Sequence, residues 1–405
     1  MTVLPLAFTE ETRRLMGDER FERYLQSFEE EPPVSIRLNP MKAGAMTVAD
    51  SEQVPWCLTG YYLKSRPNFT MDPLLHAGCY YVQEAASMFV DEMIRQCAKG
   101  HELHNALDLC AAPGGKSTLL RAALPESCML YANEPIRQRA SILAENVGKW
   151  GYAGHVVTNC YPHDYRRAGM LFDLILCDVP CSGEGMFRKD PATISEWSLQ
   201  QVEKCRQLQR EIVADAWACL RDGGILVYST CTFNTKENEE NIRWMLDEFD
   251  AEAIPIRTDA EWHITGSLLS GFTEPVYRFI PGITRSEGLF LCVVRKNGDT
   301  DHAARRADKL QLKGKVAQSL MPLEVLTGDY PLVDVSYQQA IAYLRREAIV
   351  LPADSPRGLV TVCFDGHPLG LAKNIGTRAN NLYPKEWRIK TTHIPTDYEA
   401  ILRHT

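Results

Sequence analysis

Residues 104–124 read HNALDLCAAPGGKSTLLRAAL. A short apolar run ends near Asp108, a turn with Gly114 and Gly115 follows, and an amphipathic pattern starts after Lys116. Glycine lets a backbone approach a ligand closely, and the amide groups at a helix N-terminus point towards such a ligand. The stretch therefore predicts a strand, a ligand-binding turn and a helix, which together open a nucleotide-binding α/β sheet.

The turn matches neither of the common phosphate-binding motifs. Gly115-Lys116-Ser117 resembles the end of a P-loop, but Cys110 stands where a P-loop has its first glycine, and the pattern G-x-G-x-x-G is absent. Glu134 ends the next predicted strand, where an acidic side chain can accept both hydroxyls of a ribose. S-adenosylmethionine, which has a ribose and no pyrophosphate, fits this pattern. The alternative is a glycine turn that serves packing alone.

Strand and helix patterns alternate from about residue 80 to residue 295. Residues 198–224 read as one long amphipathic helix closed by Gly223-Gly224. Such alternation predicts a mostly parallel, doubly wound sheet, the Rossmann-like α/β class. A helical pattern and turn-rich loops precede it, residues 298–330 read as a polar linker, and strand signals return in the final segment. The sequence thus predicts a small N-terminal α/β region and a β-rich C-terminal domain around the central sheet.

Composition narrows the class of protein. The 405 residues are 45% hydrophobic and 24% charged, as in soluble globular proteins, and no apolar run approaches the roughly 18 residues that cross a bilayer. The thirteen cysteines form no C-x-x-C pair, which disfavours a disulfide framework and a structural zinc site. We therefore expect a cytoplasmic protein with no metal. The net charge is −8, yet residues 301–405 hold 14 Lys and Arg against 11 Asp and Glu, a mildly basic tail compatible with nucleic acid.

Two cysteines follow the ends of neighbouring predicted strands. Residues 172–183 read FDLILCDVPCSG and residues 227–241 read VYSTCTFNTKENEEN, so Asp178, Cys181 and Cys231 are expected at the carboxyl edge of the sheet, where α/β folds build their sites. A thiolate that adds to C6 of cytosine makes C5 nucleophilic enough to accept a methyl group. Asp178 is suited to hydrogen-bond the ring nitrogen N3 during that addition. The alternative for the motif with Cys181 is an exposed turn with a helix-capping serine, and a cysteine such as Cys231, taken alone, more often belongs to the core.

Four blocks carry a resemblance to a known family. LDLCAAPGGKS, LYANE, LILCDVPCSGEGMFRKDP and VYSTCTFNTKENEEN resemble the signature motifs of the Nop/Sun family of RNA cytosine-5 methyltransferases. SGEGMFRKD and NNLYPKEWRI are similar, more narrowly, to the bacterial RsmF branch, which modifies small-subunit ribosomal RNA. The resemblance is strongest over residues 78–295. It implies an N-terminal RNA-binding region (1–77), a methyltransferase domain (78–297), a linker (298–330) and a PUA-like RNA-binding domain (331–405).

The resemblance also implies roles for individual residues. Cys231 is then the nucleophile, Cys181 assists product release, and Asp178 contacts the target base near the methyl donor. The implied donor site consists of Cys110, Ala111, Ala112, Pro113, Gly114, Gly115, Lys116, Glu134, Arg139, Asn159 and Asp178. One position departs from the family pattern, because Asn159 stands where an Asp usually binds the adenine amino group. Its amide oxygen can accept the same hydrogen bond.

Further residues are candidates for RNA contact, each with an ordinary structural alternative. Arg188 and Lys189 are candidate phosphate contacts, with a solvated basic turn as the alternative. The same choice between RNA and core or loop roles applies to Arg37, Asn39, Trp56, Tyr61 and Tyr62. Near the C-terminus, basic and aromatic residues mix as on an RNA-binding surface: Lys373, Arg378, Lys385, Trp387 and Arg388.

The sequence predicts a monomeric S-adenosylmethionine-dependent methyltransferase that acts on C5 of cytosine in small-subunit ribosomal RNA or its precursor. Three alternatives stay open. A methyltransferase acting on an exocyclic amine needs no nucleophile, and the Pro-Cys pair speaks against it. In an enzyme of the DNA cytosine type, Cys181 and Cys231 exchange roles. An RNA-binding assembly factor with a vestigial donor pocket would bind the donor without turnover.

Overall fold

The computed structural model describes residues 3–298, 329–391 and 393–404. The predicted linker therefore lies outside the described residues except at its ends. The N-terminal part contains a four-stranded antiparallel sheet in the order β3-β4-β1-β5. Its elements are α1 (Leu6–Met16), α2 (Asp18–Gln26), β1 (Val34–Leu38), α3 (Pro40–Ala43), β2 (Met46–Val48), β3 (Ser51–Gln53), β4 (Gly60–Leu63), α4 (Pro73–His76) and β5 (Tyr80–Val82). This sheet continues past residue 77, because β5 pairs with β1.

The central sheet has the order β11-β13-β10-β9-β6-β7-β8, with β12 paired to β13. Strands β6 to β10 are parallel to one another. Strand β13 is antiparallel to β10, and β11 and β12 each pair antiparallel with β13. The elements are α5 (Phe89–Cys97), β6 (Asn105–Asp108), α6 (Gly115–Ala123), β7 (Met129–Asn133), α7 (Arg137–Trp150), β8 (His155–Thr158), α8 (Pro162–Ala168), β9 (Phe172–Asp178), α9 (Ala192–Glu196), α10 (Leu199–Ala218), β10 (Leu220–Thr230), α11 (Glu239–Glu248), β11 (Ala251–Ala253), β12 (Tyr277–Phe279) and β13 (Leu289–Lys296). The predicted Rossmann-like class is confirmed.

One predicted boundary is wrong. Helix α10 ends at Ala218, before the glycine pair that was expected to stop it, and Cys219 caps it by donating its backbone N–H to the carbonyls of Ala216 and Trp217. Gly223-Gly224 instead lies inside β10, where the register with β9 shifts between Leu220 and Ile225. Gly223 has a φ of 71°, the left-handed conformation that glycine tolerates, so the pair forms an irregularity in a strand.

The C-terminal part adds a third sheet in the order β14-β15-β16-β17. Its elements are β14 (Leu332–Asp334), α12 (Tyr337–Leu344), β15 (Gly358–Phe364), β16 (His367–Asn374), β17 (Ala379–Asn381) and β18 (Leu402–His404). Strand β18 returns to pair with β2 of the N-terminal part. One apolar core also contains residues of both parts, among them Ile36, Tyr80, Ile341 and Val360. The two ends of the chain are therefore packed together rather than separated.

The sheet order determines where a ligand site can form. The chain leaves β6 towards β7 and β8 on one side, whereas β9 and β10 lie on the other, so a crevice opens beyond the carboxyl ends of β6 and β9. Asp178 ends β9, and its register partner in β10 is Ser229. The loops that carry Cys181 and Cys231 consequently leave the sheet side by side at this crevice.

Candidate active site

The turn after β6 is shaped by its two glycines. Gly114 has a φ of 119° and precedes the first turn of α6. A Cβ on Gly115 would lie 3.3 Å from Cε1 of Tyr81, because β5 of the N-terminal sheet packs against the turn. The buried Arg37 fixes the same turn, because it donates hydrogen bonds to the Gly115 carbonyl (3.3 Å) and to Oγ1 of Thr118 (2.7 Å). The N-terminal sheet therefore supports this turn directly.

Three predicted donor residues meet at the end of β7 and β8. Glu134 is buried, its carboxylate pairs with Arg139 at 3.1 Å, and Arg139 also donates to the Ala112 carbonyl at 3.1 Å. Asn159 donates its amide hydrogens to the carbonyls of Glu134 (2.6 Å) and Pro135 (2.9 Å). These bonds orient the Asn159 side chain so that Oδ1 is the atom left to accept a further hydrogen bond.

An ion pair joins the two sides of the crevice. Lys116 Nζ lies 2.8 Å from Oδ2 of Asp178, and Ser229 donates its hydroxyl to Oδ1 of Asp178 at 2.8 Å. Burial opposes the charge of Lys116, but the Asp178 carboxylate outweighs it and raises the pKa of the lysine. Lys116 belongs to the glycine turn and Asp178 to the strand before the Pro-Cys loop, so one contact couples both parts of the site.

Asp108 is a buried carboxyl group beside this ion pair. It ends β6 and is inaccessible to solvent. Burial first, and then the Asp178 carboxylate, raise the pKa of Asp108 to about 7. A carboxyl group that is buried beside another carboxylate is more stable in its neutral form, which explains the direction of the shift.

The cysteines divide into two classes. No disulfide joins the thirteen, all of which lie in the described part of the chain; ten are buried, and Cys110, Cys181 and Cys231 are partly exposed. The sulfur atoms of Cys181 and Cys231 are 3.3 Å apart, and the amide of Cys231 donates to the Cys181 sulfur at 3.3 Å. The contact with Cys231, followed by burial, raises the pKa of Cys181 well above its usual value. The three partly exposed cysteines are the three that the sequence places in the site.

Most of the candidate RNA contacts in the N-terminal region are bonded to protein instead. Asn39 donates to the carbonyls of Gly78 (2.9 Å) and Trp150 (2.8 Å), and Trp56 is buried. Tyr62 is buried and donates its hydroxyl to the Arg285 carbonyl at 2.8 Å, whereas Tyr61 is half-buried. Together with the buried Arg37, these residues favour the structural alternative.

The basic candidates divide into one residue that is bonded to protein and several that are exposed. Arg188 forms an ion pair with Glu287 at 2.7 Å and donates to the Ser27 carbonyl at 2.9 Å, which favours a structural role for Arg188 over a phosphate contact. Lys189 is exposed, as are four basic residues of the C-terminal part: Lys373, Arg378, Lys385 and Arg388. Trp387 is half-buried, with Lys149 at 5.6 Å from its ring.

Sequence reasoning missed several residues that shape the site. Asp108 lies beside the Lys116–Asp178 ion pair. Ser229, Glu184 and Glu237 hydrogen-bond to parts of the site that are distant from them in sequence. The acidic run directly after Cys231 was the sequence signal for Glu237. The structure shows that this carboxyl group is buried, which a freely solvated loop would not require. The other three carry no local signal.

Family models match most of the chain. The model described as 16S rRNA methyltransferase RsmB/F matches residues 96–295, the N-terminal domain of 16S rRNA methyltransferase RsmF matches residues 4–85, and the methyltransferase RsmF PUA domain matches residues 330–389. The chain belongs to the RsmB/F methyltransferase family. It is therefore a methyltransferase that uses S-adenosylmethionine as its methyl donor, as the sequence predicts.

Individual relatives agree with this membership. "Ribosomal RNA small subunit methyltransferase F" of Erwinia tasmaniensis is 27% identical, over 94% of this chain and 96% of that protein. The protein of the same name from Pectobacterium atrosepticum is 31% identical, over 76% of this chain and 66% of that protein. The chain thus spans about two thirds of the length of the latter.

Solved structures share the fold. A methyltransferase homolog protein from Pyrococcus horikoshii has a TM-score of 0.60 and 26% identity, covering 72% of this chain and 94% of its own. NSun6 from the same organism, solved with SFG, has a TM-score of 0.59 and 19% identity, covering 74% of this chain and 100% of its own.

The residues at the crevice fit the methyl donor of the RsmB/F family. A Cβ on Gly114 would meet Leu143 and Asn146 of α7 at 3.3 and 3.4 Å, so the turn packs closely against that helix. The buried Glu134 follows β7, where an acidic side chain binds a ribose in doubly wound folds. Among the described residues no helix is long and apolar enough to span a membrane, and no group of three or more His, Cys, Asp or Glu could hold a metal ion.

Proposed function

We propose that the protein transfers a methyl group from S-adenosylmethionine to C5 of a cytosine in 16S ribosomal RNA, through a covalent bond between Cys231 and C6. The observation that carries the proposal is the pair of partly exposed thiols, Cys181 and Cys231, 3.3 Å apart at the carboxyl ends of neighbouring strands. An enzyme that methylates an exocyclic amine needs no such pair. The substrate class rests on the names of the family model and of the relatives.

The chemistry uses the cysteine as a covalent catalyst. The Cys231 sulfur bonds to C6, and the ring electrons move towards C5 and N3, where a proton shared between N3 and the Asp178 carboxylate offsets the developing charge. The bound S-adenosylmethionine supplies an electrophilic methyl group on its sulfonium. C5 then bonds to the methyl carbon as the bond between that carbon and the sulfonium breaks and S-adenosylhomocysteine leaves. A base takes the C5 proton, and the S–C6 bond breaks to return the thiolate of Cys231. A cytosine inside a helix must first be flipped out of its stack.

The two cysteines are assigned different roles. The pKa of Cys181 is raised by its contact with Cys231, so Cys181 stays protonated at neutral pH. A protonated Cys181 can donate to the Cys231 sulfur and thereby stabilise the charged nucleophile. Cys181 is then placed to assist the release of the product once the methyl group has been transferred. The exchange of these roles is the alternative that the experiment must exclude.

The donor is held by residues on the other side of the crevice. The backbone of Cys110, Ala111, Ala112, Pro113, Gly114 and Gly115 would line its site, together with the ion-paired Lys116 and Asp178. Glu134 would bind the ribose and Asn159 would accept from the adenine amino group, while Arg139 links Glu134 to the Ala112 carbonyl of the turn. The exposed basic residues of the C-terminal part position the RNA, which we expect to be the small ribosomal subunit or its precursor.

Trapping of the covalent intermediate tests this function. The protein is incubated with S-adenosylmethionine and a 16S ribosomal RNA fragment that contains 5-fluorocytidine, because fluorine at C5 cannot leave as a proton does. Wild type and the Cys181→Ser variant should give an RNA–protein adduct on a denaturing gel, and Cys231→Ser should give none. Cys205→Ser, which removes a buried cysteine of α10, is the matched control and should form the adduct.

Two results would contradict the proposal. An adduct in Cys231→Ser and none in Cys181→Ser would make Cys181 the nucleophile. No adduct in any lane, on the fragment or on assembled small subunits, while S-adenosylmethionine still binds, would favour an RNA-binding factor without turnover.

A further inference from the structure

Two buried glutamates cross between the loops that carry the cysteines. We call Pro180–Gly185 the Pro-Cys loop and Cys231–Asn238 the Thr-Cys loop. Glu184 belongs to the Pro-Cys loop but binds the backbone of the Thr-Cys loop, whereas Glu237 belongs to the Thr-Cys loop but binds the backbone of the Pro-Cys loop. Both carboxylates are nearly inaccessible to solvent, at 1% and 0% exposed.

Glu184 holds the segment that follows Cys231. Its Oε2 accepts the amides of Phe233 (2.7 Å) and Asn234 (2.9 Å), and its Oε1 accepts from the Asn234 side chain and from Nε1 of Trp197, both at 3.0 Å. The amide of Gly185 also donates to the Cys231 carbonyl at 2.9 Å. The backbone on the C-terminal side of Cys231 is thus fixed from the other loop.

Glu237 holds the segment that follows Cys181. Its Oε2 accepts the amide of Ser182 at 3.0 Å and Nε2 of Gln209 at 2.7 Å, and its Oε1 accepts the Asn234 side chain at 2.8 Å. Gln209 in turn donates to the Pro180 carbonyl at 2.9 Å. The residues on both sides of Cys181 are therefore tied to one carboxylate, directly or through a single side chain.

This arrangement is more specific than packing requires. Burying a carboxylate is costly unless several donors satisfy it, and here seven donor contacts on two carboxylates come mainly from residues next to the two cysteines. A catalytic group misplaced by about 1 Å can lose two orders of magnitude in rate. The crossed contacts set the position of each sulfur from the opposite loop.

We propose that Glu237 and Glu184 are positioning residues with separate effects: Glu237 places Cys181 for product release, and Glu184 places Cys231 for attack on the base. This inference rests on the proposed function and adds to it the residues that keep the two thiols in register. It predicts that the loss of each glutamate resembles the loss of the cysteine it positions, which lies on the other loop.

The experiment compares Glu237→Gln, Glu184→Gln and the two cysteine variants on ordinary 16S ribosomal RNA fragments, which carry no fluorine. Glutamine keeps the shape but turns one acceptor into a donor that faces an existing donor. Glu237→Gln should accumulate adduct, as Cys181→Ser should when release is impaired, with kcat lowered roughly 10- to 100-fold and KM within about twofold. Glu184→Gln should form no detectable adduct, as expected of Cys231→Ser.

Glu240→Gln is the matched control. Glu240 accepts from Thr235 at 3.1 Å and is not bonded to the Pro-Cys loop, so its variant should turn over at the wild-type rate without accumulating adduct. If Glu237→Gln does not fold, judged by its thermal melt, Glu237→Asp carries the test, because aspartate keeps the charge and loses the reach to Ser182. Adduct accumulation with kcat lowered and KM unchanged is expected there too.

The two proposals fail in different ways. If wild type traps 5-fluorocytidine RNA but both glutamate variants lose adduct formation equally, or both turn over normally, the positioning roles are wrong and the proposed function stands. If wild type traps no adduct at all, the proposed function itself is wrong.

Discussion

The two sides of the crevice are held together by different kinds of contact. On the donor side, a backbone turn with two glycines does most of the shaping, and Arg37 supports it from the N-terminal sheet. On the base side, buried carboxylates bind backbone amides across two loops. The donor side is therefore encoded locally, whereas the geometry of the thiols depends on residues far apart in sequence. Lys116 and Asp178 connect the two sides.

Asp178→Asn breaks that connection and should have the largest effect. The new amide group would face either the Lys116 ammonium or the Ser229 hydroxyl as a second donor, and the hydrogen bond expected at N3 would be weakened. We expect the single-turnover rate of methyl transfer to fall roughly 10²- to 10⁴-fold. Ser229→Ala keeps the ion pair and is the control, with a loss below about tenfold. An Asp178→Asn enzyme near the wild-type rate would show that the ion pair does not serve catalysis.

Asp108→Asn tests the carboxyl group beside the ion pair, through the pH dependence of the free energy of unfolding. The pKa of Asp108 is raised to about 7 in the folded protein from an ordinary 3.8, so its contribution to stability is complete below pH 3.8 and is lost as pH rises through 7. The full loss amounts to about 4 kcal/mol. Between pH 4.5 and 6.5 the free energy of unfolding should therefore fall more steeply for wild type than for Asp108→Asn, by about 1.4 kcal/mol per pH unit.

Urea unfolding of the ligand-free proteins at several pH values measures this slope. Asp247→Asn, which changes an exposed carboxylate on α11, should follow wild type at every pH and controls for the loss of one charge. Parallel curves for wild type and Asp108→Asn would mean that Asp108 is ionised in the folded protein.

What could be predicted from the sequence follows the same division. Residues 104–124 predict the strand, turn and α6 because each signal lies within a few residues of the structure it forms. The end of α10 was predicted wrongly, because a glycine pair that usually stops a helix is used here inside β10. Arg188 was a candidate phosphate contact because no local pattern in the sequence reveals Glu287, its ion-pair partner about a hundred residues away. The hydrogen bonds of Glu184 and Glu237 could not be predicted for the same reason, because they form between the loops that follow β9 and β10.

Gly114→Ala should have the smallest effect of the three and tests the donor side alone. Alanine is strained at a φ of 119°, and its Cβ would lie 3.3 Å from Leu143, so we expect a loss of about 1–2 kcal/mol in stability and roughly tenfold in affinity for S-adenosylmethionine. Gly169→Ala is the matched control, because Gly169 has a φ of 66° at the end of α8 and no atom within 4 Å of its Cβ position. It should lower the melting temperature and leave affinity unchanged, as measured by calorimetry. Equal affinities in both variants would mean that the side chains of Glu134 and Asn159, rather than the turn, hold the donor.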